Sequence, residues 1–217
     1  KSCIIEGDKG GVYLGIRIEN ISFPLTISAI QSGCCICLSE GETPKRLYVQ
    51  NTNFDQLAFW KTEFDLEVEV VVVGEDLPFT KIQNLKSSDP VNELERLKVL
   101  LDHAITTHSD FPVSGVLYTS SGCYEGVNIE VSDWAMGLCA ERVCLAKAIS
   151  MGDSDFTEFA VHTRFGDYSS PCGACRQVIF EHLPLHTIRL HHANDTFSEH
   201  FSVDLLPFSF TSKTLSK

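Results

Sequence analysis

The sequence predicts an α/β protein made of two similar three-layer α/β/α domains, each with a mixed central sheet. Three observations lead there. Segments with helical spacing alternate with short β-branched runs, the pattern of sheets covered by helices. The order of those elements also repeats. Sliding the chain by 111 residues lays Gly15, Ile18, Glu19, Ala29, Gly41, Thr52 and Phe54 on Gly126, Ile129, Glu130, Ala140, Gly152, Thr163 and Phe165, without a gap. Finally, 217 residues suit two domains of about 100 residues each.

Each element has its own warrant. Val12 to Glu19 alternates loosely and reads as a strand. Ser28 to Leu38 is small, apolar and Cys-rich, as in a buried helix. Arg46 to Gln50 reads as a strand. So does Val68 to Val73, a continuous β-branched run that predicts cover on both faces. Two prolines and a polar mix between 74 and 90 predict a linker. The division is then 1–75, a linker at 76–90, and 91–217. Asp89 before Pro90 resembles a helix N-cap with proline in the first turn. Leu94, Leu97, Leu101, Ala104 and Ile105 continue at helical spacing. Val116 to Tyr118 and Tyr124 to Ile129 read as strands around the turn Ser120-Ser121-Gly122. Leu138 to Met151 reads as a helix stopped by Gly152. Phe159 to Thr163 and Thr187 to His191 read as later strands. In the repeat register Lys1 falls on Pro112, so the first domain is expected to lack the helix that opens the second.

Charge narrows the partners. Lys plus Arg number 17 against 29 Asp plus Glu, a net charge of -12. So acidic a surface is repelled by phosphate backbones and anionic membranes, which disfavours both. No run approaches the roughly 20 apolar residues of a transmembrane helix, and no signal peptide is visible. Nine cysteines without a regular framework read as thiols of a reducing cytoplasm.

The chemistry concentrates in Cys139-Ala140-Glu141 and Pro171-Cys172-Gly173-Ala174-Cys175-Arg176-Gln177. A Cys-x-x-Cys pair at a helix N-terminus, where backbone N–H groups favour anionic sulfur, can place two thiolates on one metal. Cys139 supplies a third, and three protein ligands leave a tetrahedral zinc one open position for water, as in catalytic sites. A structural site would want a fourth ligand, and His162 and His191 are the possible donors. Glu141 lies two residues after a ligand, where its carboxylate could carry the proton of a bound water. Zinc with three thiolates carries a net negative charge, which guanidinium groups of Arg142 and Arg176 would offset by donating to sulfur. A thioredoxin-like redox pair is the competing reading of Cys172 and Cys175, and it leaves Cys139 and Glu141 unused.

Cys-Ala-Glu-Arg followed by Pro-Cys-Gly-Ala-Cys-Arg-Gln resembles the cytidine deaminase family, zinc enzymes in which a metal-activated water attacks C4 of cytosine. The resemblance spans about 93 to 212. It implies zinc on Cys139, Cys172 and Cys175, with Glu141 moving protons between water, N3 and the departing ammonia. It further implies that Asn128 and Glu130, in Gly-Val-Asn-Ile-Glu, hold the ribose hydroxyls. Phe111 then packs near the base, the backbone near Ala140 bonds the amino group, and Phe210, closing Leu-Leu-Pro-Phe-Ser-Phe, caps the pocket. The expected reaction is hydrolysis of cytidine and deoxycytidine to uridine and deoxyuridine through a zinc-bound hydroxide, in pyrimidine salvage. The alternatives are a modified cytosine nucleoside as substrate and a non-catalytic zinc-binding scaffold.

The first domain also resembles this family, without its chemistry. In the ungapped register Ser28 replaces Cys139, Ile30 replaces Glu141, Lys61 and Phe64 replace Cys172 and Cys175, and Arg17 replaces Asn128. It is expected to be metal-free and catalytically silent. Tetrameric relatives insert the loop after this strand into a neighbour's pocket, with an aromatic at the position of Phe23. The resemblance therefore implies that Ile21 and Phe23 complete a pocket, and that the chain forms a homodimer imitating four single domains.

Overall fold

The computed structural model describes residues 1–72 and 81–210. The first sheet contains β1 (Ser2–Gly7), β2 (Val12–Ile16), β3 (Pro44–Val49) and β4 (Glu67–Val70) in the order β2-β1-β3-β4. β1 is antiparallel to β2 and β3, and β3 is parallel to β4. Two helices belong to this half, α1 (Ala29–Ser39) and α2 (Leu57–Phe64). The second half opens with α3 (Glu93–Leu100). Its strands are β5 (Val113–Thr119), β6 (Gly122–Val127), β7 (Phe156–Thr163), β8 (Thr187–His191) and β9 (Phe197–Phe201), ordered β6-β5-β7-β8-β9. Only β7 and β8 run parallel. Its other helices are α4 (Ala140–Ser150), α5 (Gly173–His182) and the short α6 (Ser202–Leu205). Both sheets are mixed, and the second repeats the order of the first with one strand added.

The register of 111 residues recurs in the elements. α1 and α4 keep it at both ends, as do the single turns Phe23–Leu25 and Trp134–Met136. The isolated bridges Ile18–Ile27 and Ile129–Leu138 keep it too. Gly41 and Gly152 both end their helices with positive φ, +76° and +87°, a backbone state that favours glycine.

α1 lies on β1 and β2, α4 lies on β5 and β6, and the two helices meet each other. Helices packed on two sides lose their polar face. Accordingly ten of the eleven α1 residues are buried, and α4 buries even Lys147. Lys147 Nζ donates to Glu40 Oε1 (2.5 Å) and to the Glu125 carbonyl (2.8 Å), which compensates its burial. Two further ties between the halves are reciprocal. Gln31 Nε2 donates to the Met136 carbonyl (3.1 Å), and Arg142 Nη2 to the Leu25 carbonyl (3.0 Å). Each donor and each acceptor pair stands 111 residues apart. The backbone N–H groups of Ser132 and Ile21, also 111 residues apart, donate to Glu63 of α2 (2.9 Å) and Glu181 of α5 (3.0 Å). In a two-fold interface, residue i meets j and j meets i; these contacts follow that rule within one chain.

α3 covers the opposite face of the second sheet. Ser114 Oγ reaches the Leu97 carbonyl, and Glu93 takes Tyr118, Arg189 and His191. Among the described residues the first sheet has helices on one face only.

Several expectations change. β4 is not covered on both faces: among the described residues it pairs only with β3, and Glu67, Glu69 and Val70 are exposed. Its glutamates lie beside Arg46 at the surface. Val73 lies outside the described residues. Of the expected linker, 76–80 lie outside them as well, whereas 81–90 are docked. Gln83 N donates to the Val12 carbonyl, Leu85 is buried, and Ser87 bridges Cys123. The helix after the linker is capped by Asn92, not Asp89, because the Asn92 side chain accepts from Glu95 N. It ends at Leu100 and tightens into a turn at Leu101–His103, which frees Ile105 to bridge Ile129. β1, α2, β9 and α6 carry no element signal in the sequence pattern.

Candidate metal centre and active site

Two helix N-termini converge beside β5 and β7. The Ile129–Leu138 bridge pins the ends of the loop after β6, which sets Cys139 as the N-cap of α4. The segment after β7 ends at Cys172, the N-cap of α5. The sulfurs of Cys139, Cys172 and Cys175 all lie within 4.8 Å of one another. Cys139 and Cys172 sulfurs are 3.8 Å apart, and all nine cysteines are free thiols. Zn–S bonds of about 2.3 Å at tetrahedral angles separate two sulfurs by roughly 3.8 Å, so the donor set fits zinc. The thiols of Cys139 and Cys175, followed by the backbone N–H groups of Cys175 and Ala174, hold Cys172 far below the usual thiol range. The cluster can therefore hold a thiolate, the form in which cysteine binds metal.

No fourth protein ligand joins this group among the described residues. His162 Nδ1 donates to the His191 carbonyl, and His191 Nε2 donates to Glu93 under α3. Both histidines are committed elsewhere.

Glu141, in the first turn of α4, is 3% exposed. Burial pushes its carboxyl up to about 7, and the negative charge of Cys172 adds to the effect. A carboxyl poised there can both take and give a proton near neutral pH. It lines a cavity of about 340 Å³ with Cys139, Cys172, Phe111 and Asn128. Ser109, Val113, Val161, Thr163 and Ser170 complete the wall. None of these last five carries a motif; only the folded chain identifies them.

The other expected site residues are placed as follows. Asn128 Oδ1 accepts from Val113 N (2.8 Å) and its Nδ2 donates to the Phe111 carbonyl (3.0 Å), so it also braces the cavity wall. Glu130 accepts from His108 N (2.8 Å), Ser109 N (3.1 Å) and the Ser109 hydroxyl. It lines adjacent hollows rather than the Glu141 cavity. Ala140 is buried as the first residue of α4. Phe111 lies against Phe165 at a tilt of 52°, with centroids 6.4 Å apart. Phe23 is 82% exposed and lies outside the cavity lining, as does Phe210, whose carbonyl accepts from Gln177.

The two arginines bind carbonyls. Arg142 reaches Leu25, and its buried Nε has no hydrogen-bond partner among the described residues. Arg176 donates to the Pro171 carbonyl (2.8 Å), Ser170 Oγ (2.5 Å) and the Leu205 carbonyl (3.5 Å), which fixes the approach to Cys172. Neither donates to sulfur among the described hydrogen bonds.

In the first half the matching helix caps are Ser28 and Gln56, and Ser28 Oγ donates to Gln56 Oε1 (2.8 Å). The helix counterpart of Cys172 is thus Gln56 rather than Lys61, because the segment before α2 is shorter than the one before α5. Phe59 then takes the place of Cys175.

A family model described as the cytidine and deoxycytidylate deaminase zinc-binding region matches residues 92–187. Cytidine deaminase of Sporosarcina psychrophila is 38% identical over 120 residues, 53% of this chain and 86% of that protein. Cytidine deaminase of Mycoplasma genitalium is 32% identical over 114 residues, 52% of this chain and 88% of that one. The crystal structure of cytidine deaminase from Burkholderia pseudomallei superposes with a TM-score of 0.51 at 31% identity, covering 54% of this chain and 94% of that chain. Gathered thiols at two helix starts, a buried carboxyl beside them and near-complete coverage of these relatives agree: the chain belongs to the cytidine deaminase family of zinc-dependent hydrolytic enzymes.

Proposed function

We propose that this chain hydrolyses cytidine and deoxycytidine to uridine and deoxyuridine, releasing ammonia. The carrying observation is the buried Glu141 carboxyl in one cavity with Cys139 and Cys172. Zinc held by Cys139, Cys172 and Cys175 supplies the Lewis acidity that makes water nucleophilic near neutral pH. Glu141 takes a proton from the attacking water at a carboxylate oxygen and returns it to N3 of the base. The second water proton follows the same carboxylate to the exocyclic nitrogen, which leaves as ammonia. Phe111 offers a ring face to the base, and Asn128 faces the sugar. Ala140 begins α4 beside the sulfurs, and its backbone serves the amino group. Glu130 joins the ribose by exchanging the Ser109 hydroxyl for a sugar hydroxyl. Arg142 and Arg176 act through the segments they brace.

In this reading the two halves divide the work. Residues 91–217 form the catalytic domain and 1–75 a non-catalytic one, in which the Ser28–Gln56 hydrogen bond occupies the place of a metal centre. Phe23, exposed in its own chain, serves the pocket of a second copy, and Phe210 closes the cavity. A homodimer working in cytoplasmic pyrimidine salvage completes the proposal.

The test is loss of the cytosine absorbance band on incubation with zinc-loaded protein, with metal measured on the same sample. One zinc per chain and turnover of both nucleosides are expected. Glu141→Gln should keep the zinc and lose at least 100-fold in kcat, since general acid–base groups contribute about 10²–10⁴. Bound zinc without turnover would overturn the reading in favour of a scaffold or a modified nucleoside.

A further inference from the structure

One wall of the Glu141 cavity is the segment 164–171, which carries Ser170 and delivers Cys172 to the N-terminus of α5. A residue outside the cavity holds it. Ser169 is fully buried; its backbone N–H donates to His192 Nδ1 (3.1 Å), and its hydroxyl meets Thr163 Oγ1 (2.8 Å). The Tyr168 ring stacks on the His192 ring, with centroids 4.5 Å apart. From there a polar chain runs through β9. His192 Nε2 lies 3.2 Å from Ser198 Oγ, Ser198 Oγ 3.2 Å from Tyr168 Oη, and Tyr168 Oη 2.6 Å from His200 Nε2.

We propose that His192 is a positioning residue for the catalytic cavity, holding the 168–170 segment in place as a neutral imidazole. The inference rests on the proposed use of that cavity. Because Ser169 contributes an N–H, Nδ1 must be the unprotonated nitrogen, and the neutral ring carries its hydrogen on Nε2. His192 Nε2–H then donates to Ser198 Oγ, which closes a three-way cluster with Tyr168 Oη and with His200 Nε2, 2.9 Å away. Protonating His192 sets one N–H against another and leaves the buried Ser169 amide without an acceptor, which is costly.

The groups facing His192 reinforce the neutral state. Tyr168 lies over the ring from the 164–171 segment, His200 approaches from β9, and His191 precedes it at the end of β8, bonded to Glu93 of α3. Asp195 closes the turn after β8 through its backbone N–H to the His192 carbonyl, and its carboxylate is taken by Lys98. Burial, with His191 and His200 as further positive neighbours on acidification, lowers the pKa of His192.

The experiment uses the zinc-loaded full chain. His192→Asn retains an acceptor near Nδ1 but cannot titrate, and His192→Leu removes the acceptor. We expect His192→Asn to keep kcat/KM at neutral pH within a few-fold, the acidic fall set by the Glu141 carboxyl being common to it and the wild type. His192→Leu should lose roughly 10- to 100-fold in kcat/KM, the scale of a small misplacement at a reaction centre. The independent readout is the protection factor of the Ser169 amide against hydrogen exchange. It should fall as the wild type is acidified, stay level in His192→Asn and be lowered at every pH in His192→Leu. This readout needs no turnover, so it separates failure of the positioning role from failure of the deaminase reading. A Ser169 protection factor indifferent to pH in the wild type would overturn the proposal. So would a pH-dependent one in His192→Asn matching the wild type.

Discussion

Gly126 marks where β6 presses closest on α4, and filling it is the sharpest test of how the site is built. A Cβ at Gly126 would lie 2.8 Å from Cys144 Sγ, 2.9 Å from the Ala140 carbonyl oxygen and 2.9 Å from Cys144 N. Two of those atoms belong to the α4 backbone, so no side-chain rotation relieves the clash. Ordinary contact begins near 3.4 Å, and α4 must therefore retreat by about 0.5 Å. Overpacking of this kind costs about 1–3 kcal/mol, or a Tm drop of roughly 2–12 °C for a chain of this size. The retreating end carries Cys139 and Glu141. Since a misplacement near 1 Å can cost about 100-fold, Gly126→Ala should lower kcat/KM by roughly tenfold. Gly152→Ala is the control. Its φ of +87° makes alanine strained, but nothing lies within 4 Å of the new Cβ. It should cost about 1–2 kcal/mol with kcat/KM unchanged. Thermal melts and steady-state kinetics on both variants decide. If Gly126→Ala keeps kcat/KM within twofold of the wild type, the close approach does not position the site.

The remaining predictions concern the α3 anchor and the exposed loop. Burial raises the Glu93 carboxyl, but hydrogen bonds from His191, Arg189 and Tyr118 outweigh it and bring its pKa from 4.5 down to about 2. Its contribution, about 3 kcal/mol, is present above pH 4.5 and lost as pH falls toward 2. The stability gap between wild type and Glu93→Gln in denaturant melts should therefore close across that window; a constant gap would refute the assignment. Phe23→Ala should lower kcat/KM several-fold while zinc content and Tm stay level, and unchanged kinetics would exclude the loop from any pocket.

What the sequence disclosed follows from where its constraints are local. The identities between the halves mark backbone demands: Gly15 and Gly126 admit a helix against a strand, Gly41 and Gly152 take the left-handed state, and Ile18 and Ile129 carry the loop bridges. The three cysteines and Glu141 were legible because each sits at or near a helix start with motif spacing. Asn92 prevails over Asp89 as the cap because Asn92-x-x-Glu95 has the capping-box spacing. β9 escaped because Phe197 and Phe201 are exposed, the reverse of what alternation suggests for an apolar face. Ser109, Thr163, Ser170 and His192 were invisible for another reason. They meet the site only through the pairing of β5, β7 and β8, and nothing in their neighbours in sequence records that meeting.

The reciprocal contacts between the halves have a consequence for how such a protein can change. In a true two-fold pair every substitution is made twice, so a residue good for one side and bad for the other is never free to appear. Joining both sides in one chain lifts that restriction. Gln31 and Arg142 hold equivalent carbonyls with different side chains, and Ser28 stands opposite Cys139. The link also keeps the partner at high effective concentration, typically millimolar for short connections. The interface between α1 and α4 then stays closed at dilutions that would separate two independent chains. Each half is thereby free to specialise without losing the other.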